Sequence, residues 1–266
     1  MSKAYKYEKF YQEFDSPLMR KLRVEAYGED IGQHSWVDAD ELRQDAKRVA
    51  LNSSSRFLDL GCGPCGVLTF LIANFGCKGV GIELSPSAIE FGKRRAAKMG
   101  IQDLFAAHVG DLNEPIALSS NSFDVVFAID VVLHLQNRLL LFKEIKRLLS
   151  PGGTFLFTDA GVVTGPVSNE EFQRRSVHGF TQFVPKGWNE QLLAEAGLRV
   201  VQTENRTASA FRNASGRLAA LKNHQVEIER ISGAASFQSQ KEYLSTVANL
   251  SEFGAVSRFM YLVRAE

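Results

Sequence analysis

From Arg56 onward the chain switches regularly between short, unbroken apolar runs and longer stretches whose apolar residues recur at helical spacing. The short runs read as strands buried on both faces, and their alternation with helical stretches reads as strand–helix units. Phe57 to Leu60 predicts a first strand, a glycine cluster follows, and Val67 to Phe75 predicts a helix. Gly79 to Glu83 predicts a second strand, and Pro86 then stands in the first turn of a second helix, where its missing N–H is not needed. Leu104 to Val109 predicts a weaker third strand, and Phe123 to Asp130 the clearest strand of the chain. Leu139 to Leu149 reads as an amphipathic helix stopped by Pro151, Gly152 and Gly153, with a fifth strand over Thr154 to Thr158. Further on, the pattern predicts a helix over Trp188 to Ala196 and a strand over Leu198 to Thr203. A polar helical stretch over 214–250 and a last strand over Arg258 to Val263 complete it. Such alternation predicts an α/β fold, a doubly wound and mostly parallel sheet with helices on both faces.

Residues 1–50 are polar and helical in pattern, broken between Tyr27 and Trp36, and Asp38 or Asp40 is placed to cap a helix running to Ala50. With no repeat and no clean linker, a single domain over 1–266 is expected. Residues 1–50 form an N-terminal helical lid, 56–160 a cofactor-binding core, 165–250 a substrate lid with a later strand, and 255–266 the last strand. Hydrophobic residues at 45% and charged residues at 23% suit a folded globular chain. A net charge of +1 offers no field to nucleic acid or anionic lipid, so neither is an expected partner. The apolar stretches are too short to span a bilayer, and the first residues alternate Lys with Tyr without an apolar core. A cytoplasmic location is therefore expected. All three cysteines lie between Cys62 and Cys77, which is no disulfide framework.

The candidate chemistry starts at Gly61, Gly63 and Gly66, a G-x-G-x-x-G between a strand and a helix, which permits a tight turn and close backbone approach to a ligand. Glu83 ends the next strand, where a carboxylate accepts both ribose hydroxyls of an adenosine cofactor. Asp59, two residues before the first glycine, repels a pyrophosphate and suits a cationic ammonium and sulfonium. Asp111 follows the third strand, within reach of an adenine amine, and the segment Leu149 to Thr154 completes the set.

These motifs, in this order and at this spacing, resemble the class I S-adenosylmethionine-dependent methyltransferases over about residues 56–160. The resemblance implies a Rossmann-like, seven-stranded sheet with helical lid segments, binding S-adenosylmethionine and releasing S-adenosylhomocysteine. It implies that Gly61 and Gly63 approach the methionine moiety, Glu83 holds the ribose, and Asp111 with Leu112 brackets the adenine. Asp59, Leu84 and Asp130 belong to the same expected cofactor set.

For the methyl acceptor, Asp130 and His134 lie at the carboxyl end of the fourth strand, the edge where doubly wound folds bind ligands. Methyl transfer needs an aligned lone pair, and histidine is the usual acceptor of the proton that blocks it. Asp130 could equally take the methionine ammonium. The run Ala26 to His34 together with Asp130 to Leu135 is similar to the small-amine branch, the sarcosine/dimethylglycine and phosphoethanolamine methyltransferases. That resemblance implies an acceptor at Asp130 and His134 and an N-terminal segment closing over it. His134 and Tyr27 are accordingly the expected catalytic residues, and Trp36, His134, Asp159 and His178 the expected substrate contacts.

The segment Arg174 to Phe180 is only a partial, shifted counterpart of the phosphate-holding residues of the phosphobase enzymes. Glu170, Glu171, Arg174 and Arg175 read as a solvated ion-pair face. The aromatics of the lids suit either a methylated ammonium or a flat, apolar substrate. The expected function is thus N-methylation of a small amine. Its alternative is O- or C-methylation of a hydrophobic metabolite such as a polyketide, quinone or prenyl compound. A nicotinamide-dependent oxidoreductase and a non-catalytic cofactor-binding protein are the rivals outside the class. Cys62 and Cys65 spell a C-x-x-C but occupy the variable positions of the glycine loop, so redox catalysis is set aside. Ala160 after Asp159 departs from the metal-dependent catechol-type pattern, and no metal is expected. The expected partner is a small-molecule acceptor, on a monomer or homodimer.

Overall fold

The computed structural model describes residues 11, 14–176 and 179–265. Its centre is a sheet in the order β3 (Phe105–Val109), β2 (Lys78–Glu83), β1 (Arg56–Leu60), β4 (Phe123–Ile129), β5 (Leu149–Val163), β8 (Val256–Ala265) and β7 (Leu198–Asn205). The two-residue β6 (Val184–Pro185) pairs with β5 off this path. Strands β1 to β5 pair parallel, and β8 alone runs against its neighbours β5 and β7. The order turns back between β1 and β4, so the carboxyl ends of these two strands flank the crevice where ligands of such sheets bind.

The helices before and within this core are α1 (Pro17–Tyr27), α2 (Ala39–Arg48), α3 (Gly66–Phe75), α4 (Pro86–Lys98) and α5 (Arg138–Leu148). Later come α6 (Asn169–Arg175), α7 (Trp188–Glu195), α8 (Thr207–Asn223), α9 (Gln225–Ser232) and α10 (Ala234–Glu252). Their starts follow local chemistry. Ser16, Asp38, Ser85 and Asn137 each accept a backbone N–H of the following helix through the side chain, and Ser168 with Glu171 forms a capping box. Between the two capping candidates for α2, Asp38 is the one used.

Two expectations are corrected. The fifth strand begins at Leu149, directly after α5, so Pro151 to Gly153 lies within it. A register shift opposite Phe123 and Val125, with Gly152 at φ 76°, absorbs the irregularity. The polar stretch over 214–250 resolves into three helices, because Gly233 at φ 86° separates α9 from α10 and α8 ends at Asn223.

Strand alternation splits the core between the two faces of the sheet. Leu58, Val126, Phe155, Phe157 and Tyr261 pack with α5 on one face. Phe57, Val125, Phe127, Leu156 and Met260 pack with α2 and α3 on the other. Phe155, Phe157 and Tyr261 stack with centroid separations of 4.9 and 4.6 Å, and each fully buried ring contributes about 1.5–3 kcal/mol. A third cluster joins α8 and α10 to the segment before α2 through Trp36, Ala210, Ala214, Phe237, Tyr243 and Val247. No helix among the described residues is long and apolar enough to cross a membrane.

Candidate active site

At the end of β1 the chain turns through Gly61 (φ 68°) and Gly63 (φ 52°), a conformation that glycine adopts without strain. A Cβ on Gly61 would lie 2.6 Å from a Val131 methyl, and one on Gly66 would lie 2.1 Å from the Gly32 carbonyl oxygen. The third glycine therefore serves close packing against the lid backbone as well as the start of α3. The bare loop, Asp59, Glu83, Leu84, Asp111 and Leu112 line a cavity of about 210 Å³. These residues, and Asp130 from the same expected set, thus line one cavity.

Glu83 is buried at the tip of β2. Its Oε2 accepts the Gly63 N–H at 3.0 Å and its Oε1 the Ser85 N–H at 3.0 Å, while burial pushes its pKa up. Asp59 is 2% exposed, and its Oδ2 has no hydrogen-bond partner among the described residues. Burial first, and Glu83 second, push its carboxyl up to about 8. Asp111 is exposed, with Oδ1 accepting the N–H and the side-chain amide of Asn113 at 2.9 and 2.8 Å.

The same cavity is lined by Trp36, Asp130, His134, Arg175, Phe180 and Tyr243, among others. Asp130 follows β4 in the left-handed region (φ 56°). Its Oδ1 accepts the Thr158 hydroxyl at 2.8 Å and Arg258 Nε at 2.9 Å, and its Oδ2 accepts the Trp36 N–H at 2.9 Å. His134 ends a short 3-10 turn (Val132–His134) and lies 3.1 Å through Nδ1 from the Phe180 carbonyl oxygen. A carbonyl only accepts, so Nδ1 carries the proton and the lone pair of the neutral ring is on Nε2. Burial pushes the His134 pKa down, towards that neutral form.

Two expected residues, Tyr27 and Asp159, are not brought to the cavity. The Tyr27 hydroxyl donates to the Ser35 carbonyl at 2.8 Å, and Tyr27 is not among the lining residues. Asp159 is fully buried elsewhere. It accepts from Arg138, from Asn189 Nδ2 at 2.8 Å and from the Gly161 N–H at 2.8 Å. The reason is strand alternation: Thr158 faces Asp130, so its neighbour Asp159 faces away. His178 lies outside the described residues.

Arg175 and Tyr243 are among the lining residues that were not expected. Arg175 is 5% exposed, with Nη1 donating to the Tyr243 hydroxyl at 3.3 Å and Nη2 to the Ala160 carbonyl at 2.9 Å. Its guanidinium lies 5.8 Å from the Trp36 ring and 5.7 Å from the Tyr243 ring. Only Arg174 belongs to the surface ion-pair face, bridging Glu170 at 2.6 Å. Tyr243 arrives from the middle of α10, where nothing local marks it. The cysteines Cys62 and Cys65 are buried with sulfurs 3.6 Å apart, Cys62 at the cavity wall. No group of three or more metal-ligating side chains occurs among the described residues.

The sequence profile of a family described as a methyltransferase domain matches residues 51–231. The chain belongs to this methyltransferase family. It is 35% identical over 114 residues to a sterol 4-C-methyltransferase of Caenorhabditis elegans, covering 43% of this chain and 34% of that one. It is 29% identical over 176 residues to phosphoethanolamine N-methyltransferase 1 of Zea mays, covering 66% and 34%. The chain thus spans about a third of the length of these curated relatives. Among solved structures, phosphoethanolamine N-methyltransferase 2 of Haemonchus contortus, in complex with phosphomonomethylethanolamine and S-adenosylhomocysteine, superposes with a TM-score of 0.81. The identity is 18%, and the match covers 100% of this chain and 60% of that chain, a likeness of fold.

The methyltransferase family uses S-adenosylmethionine, and the donor set here fits it. The unpartnered Asp59 Oδ2 suits an ammonium, the bare glycines admit close approach of the ligand, and Glu83 is a carboxylate at the cavity wall.

Proposed function

We propose that this methyltransferase N-methylates a small amine that also carries an anionic group. The observation that supports this most is Arg175. A buried guanidinium with no carboxylate in ion-pair range among the described residues is uncompensated, and an isolated buried charge costs several kcal/mol. An acceptor's carboxylate or phosphate on the cavity side of Arg175 compensates it. The Trp36 and Tyr243 rings at the same wall attract the ammonium of a methylated amine by cation–π contact.

In this reading Asp59 takes the cofactor's ammonium, Glu83 with Leu84 the ribose, Gly61 and Gly63 the methionine chain, and Asp111 with Leu112 the adenine. When bound, S-adenosylmethionine supplies an electrophilic methyl group. His134 Nε2 accepts the proton that an ammonium must lose before its lone pair is available, and the Phe180 carbonyl holds the ring in the required tautomer. Arg175 orients the acceptor from its anionic end, and the lid residue Trp36 excludes water.

The test is methyl-labelled S-adenosylmethionine with two separate acceptor pools. One holds glycine, sarcosine, dimethylglycine and phosphoethanolamine; the other holds phenols, quinols and prenyl diphosphates. Label is expected in the first pool, and Arg175→Met is expected to raise the acceptor KM by about 10²-fold, the scale of a charged hydrogen-bond partner lost. Label in the second pool alone would overturn the reading. It would favour O- or C-methylation of a hydrophobic metabolite, a reading supported by the apolar wall at Ile129, Val131, Leu135 and Phe180.

A further inference from the structure

Asp130 lines the cavity, yet its charge is already committed. Arg258 donates from Nε to Asp130 Oδ1 at 2.9 Å, and the same guanidinium donates from Nη1 to Glu41 Oε1 at 2.6 Å and to Ser209 Oγ at 3.0 Å. Asp130 Oδ2 in turn accepts the backbone N–H of Trp36 at 2.9 Å. Arg258 is 1% exposed and is not itself a cavity-lining residue.

We propose that Arg258 is a positioning residue that latches the lid over the acceptor end of the cavity, holding Trp36 through Asp130 and helix α2 through Glu41. The two carboxylates come from separate segments, the end of β4 and the first turn of α2, and a planar guanidinium can meet both at once from β8. Arg206 reinforces the second arm, reaching Glu41 at 3.1 Å and Asp45 at 2.5 Å on the same helix. A non-glycine residue in the left-handed region persists only where its surroundings determine it, and Thr158, Trp36 and Arg258 together do so for Asp130. Arg258 also borders a small cavity of about 10 Å³ between Trp36 and Arg175, so it stands directly behind the acceptor wall. This separates two carboxylates of the crevice. Asp59 has an oxygen left for a cationic ligand, and Asp130 holds the lid.

The lid contains one of the chain's two tryptophans, Trp36, the other being the half-exposed Trp188. In a Trp188→Phe background, fluorescence therefore reports Trp36 alone. Acrylamide quenching of Trp36 is expected to rise at least about threefold in Arg258→Met, as a latched segment opens locally, while S-adenosylhomocysteine affinity changes by less than about threefold. Arg258→Lys keeps the charge but spans one carboxylate only, and an intermediate rise is expected. Should Arg258→Met not fold, Glu41→Gln cuts one arm and is expected to give a smaller rise of the same sign. Unchanged quenching in the folded variants would overturn the proposal, even if their melting temperatures fell, because Arg258 would then only stabilise the fold. Loss of S-adenosylhomocysteine binding in proportion to quenching would overturn it too, by placing the effect at the cofactor end. The fluorescence readout needs no acceptor, so a wrong acceptor class leaves the test intact.

Discussion

Binding of S-adenosylhomocysteine is expected to expel a proton from Asp59 at neutral pH. The carboxyl is 2% exposed, its Oδ2 lacks a partner, and burial with the neighbouring Glu83 pushes it up to about 8 from the ordinary 3.8. At pH 7 the side chain is therefore mostly protonated, and ionising it to meet the ligand's ammonium costs about 1.4 kcal/mol, the equivalent of one pH unit. At pH 6 that cost is about twice as large, and at pH 8 it falls to about 0.4 kcal/mol. Affinity is thus expected to rise by up to about tenfold per unit from pH 6 towards 8 and then to level off. Calorimetric titrations in two buffers of different ionisation enthalpy should read close to one proton released per ligand near pH 6.5 and almost none near pH 9. Asp59→Asn removes the titrating group, so the pH dependence should flatten and the affinity above pH 8 should fall by about 10–100-fold. Flat affinity with no proton exchange in the parent protein would refute both the Asp59 assignment and its ionisation state. The sign for folding follows from the same group. A folded-state pKa raised above 3.8 means that the unliganded fold holds a proton the unfolded chain has lost. Asp59 is therefore harmless below about pH 4, and stability falls as pH rises from there towards 8.

His134→Ala should lower turnover by about 10²-fold or more with S-adenosylhomocysteine affinity intact; equal turnover would remove the residue from the chemistry. Gly66→Ala should lower the melting temperature and loosen the lid together, because the added methyl meets the Gly32 carbonyl at 2.1 Å; differential scanning fluorimetry with limited proteolysis around residues 28–36 reads both. Cys62 lines the cavity and burial holds its thiol pKa high, so its alkylation by N-ethylmaleimide should be slow at pH 7, faster at higher pH, and blocked by bound S-adenosylhomocysteine. Mass spectrometry of the modified peptide reads the protection. Phe157→Ala, which removes a ring stacked between Phe155 and Tyr261, should cost about 3–5 kcal/mol in denaturant unfolding.

The glycine loop and the carboxylates around it were legible because they are local. Gly61, Gly63 and Gly66 mark their turn by composition, and Asp59, Glu83 and Asp111 sit beside the ends of strands that announce themselves as apolar runs. A doubly wound sheet then brings those strand ends to one crevice whatever its loops do. The fifth strand was misread at its start because Pro151, Gly152 and Gly153 break the pattern locally, while pairing with β4 carries the strand through them.

The rest of the cavity lining was decided by tertiary contacts. Arg174 and Arg175 are adjacent and chemically identical, yet one bridges Glu170 in solvent and the other is buried against Trp36 and Tyr243, because α10 covers only one side of α6. Tyr243 and Arg258 reach the site or its lid from more than a hundred residues away, with no nearby residue to mark them. Tyr27 and Asp159 had the right chemistry and the wrong direction, since a hydroxyl or carboxylate turns to whichever partner the packing presents, here Ser35, Arg138 and Asn189. Periodicity and turn chemistry act between neighbours in the chain, so the sequence alone determined the sheet and the glycine loop at its crevice. The burial and pairing of a charge depend on surfaces that meet only after folding, so the structure alone decided which of these residues line the cavity.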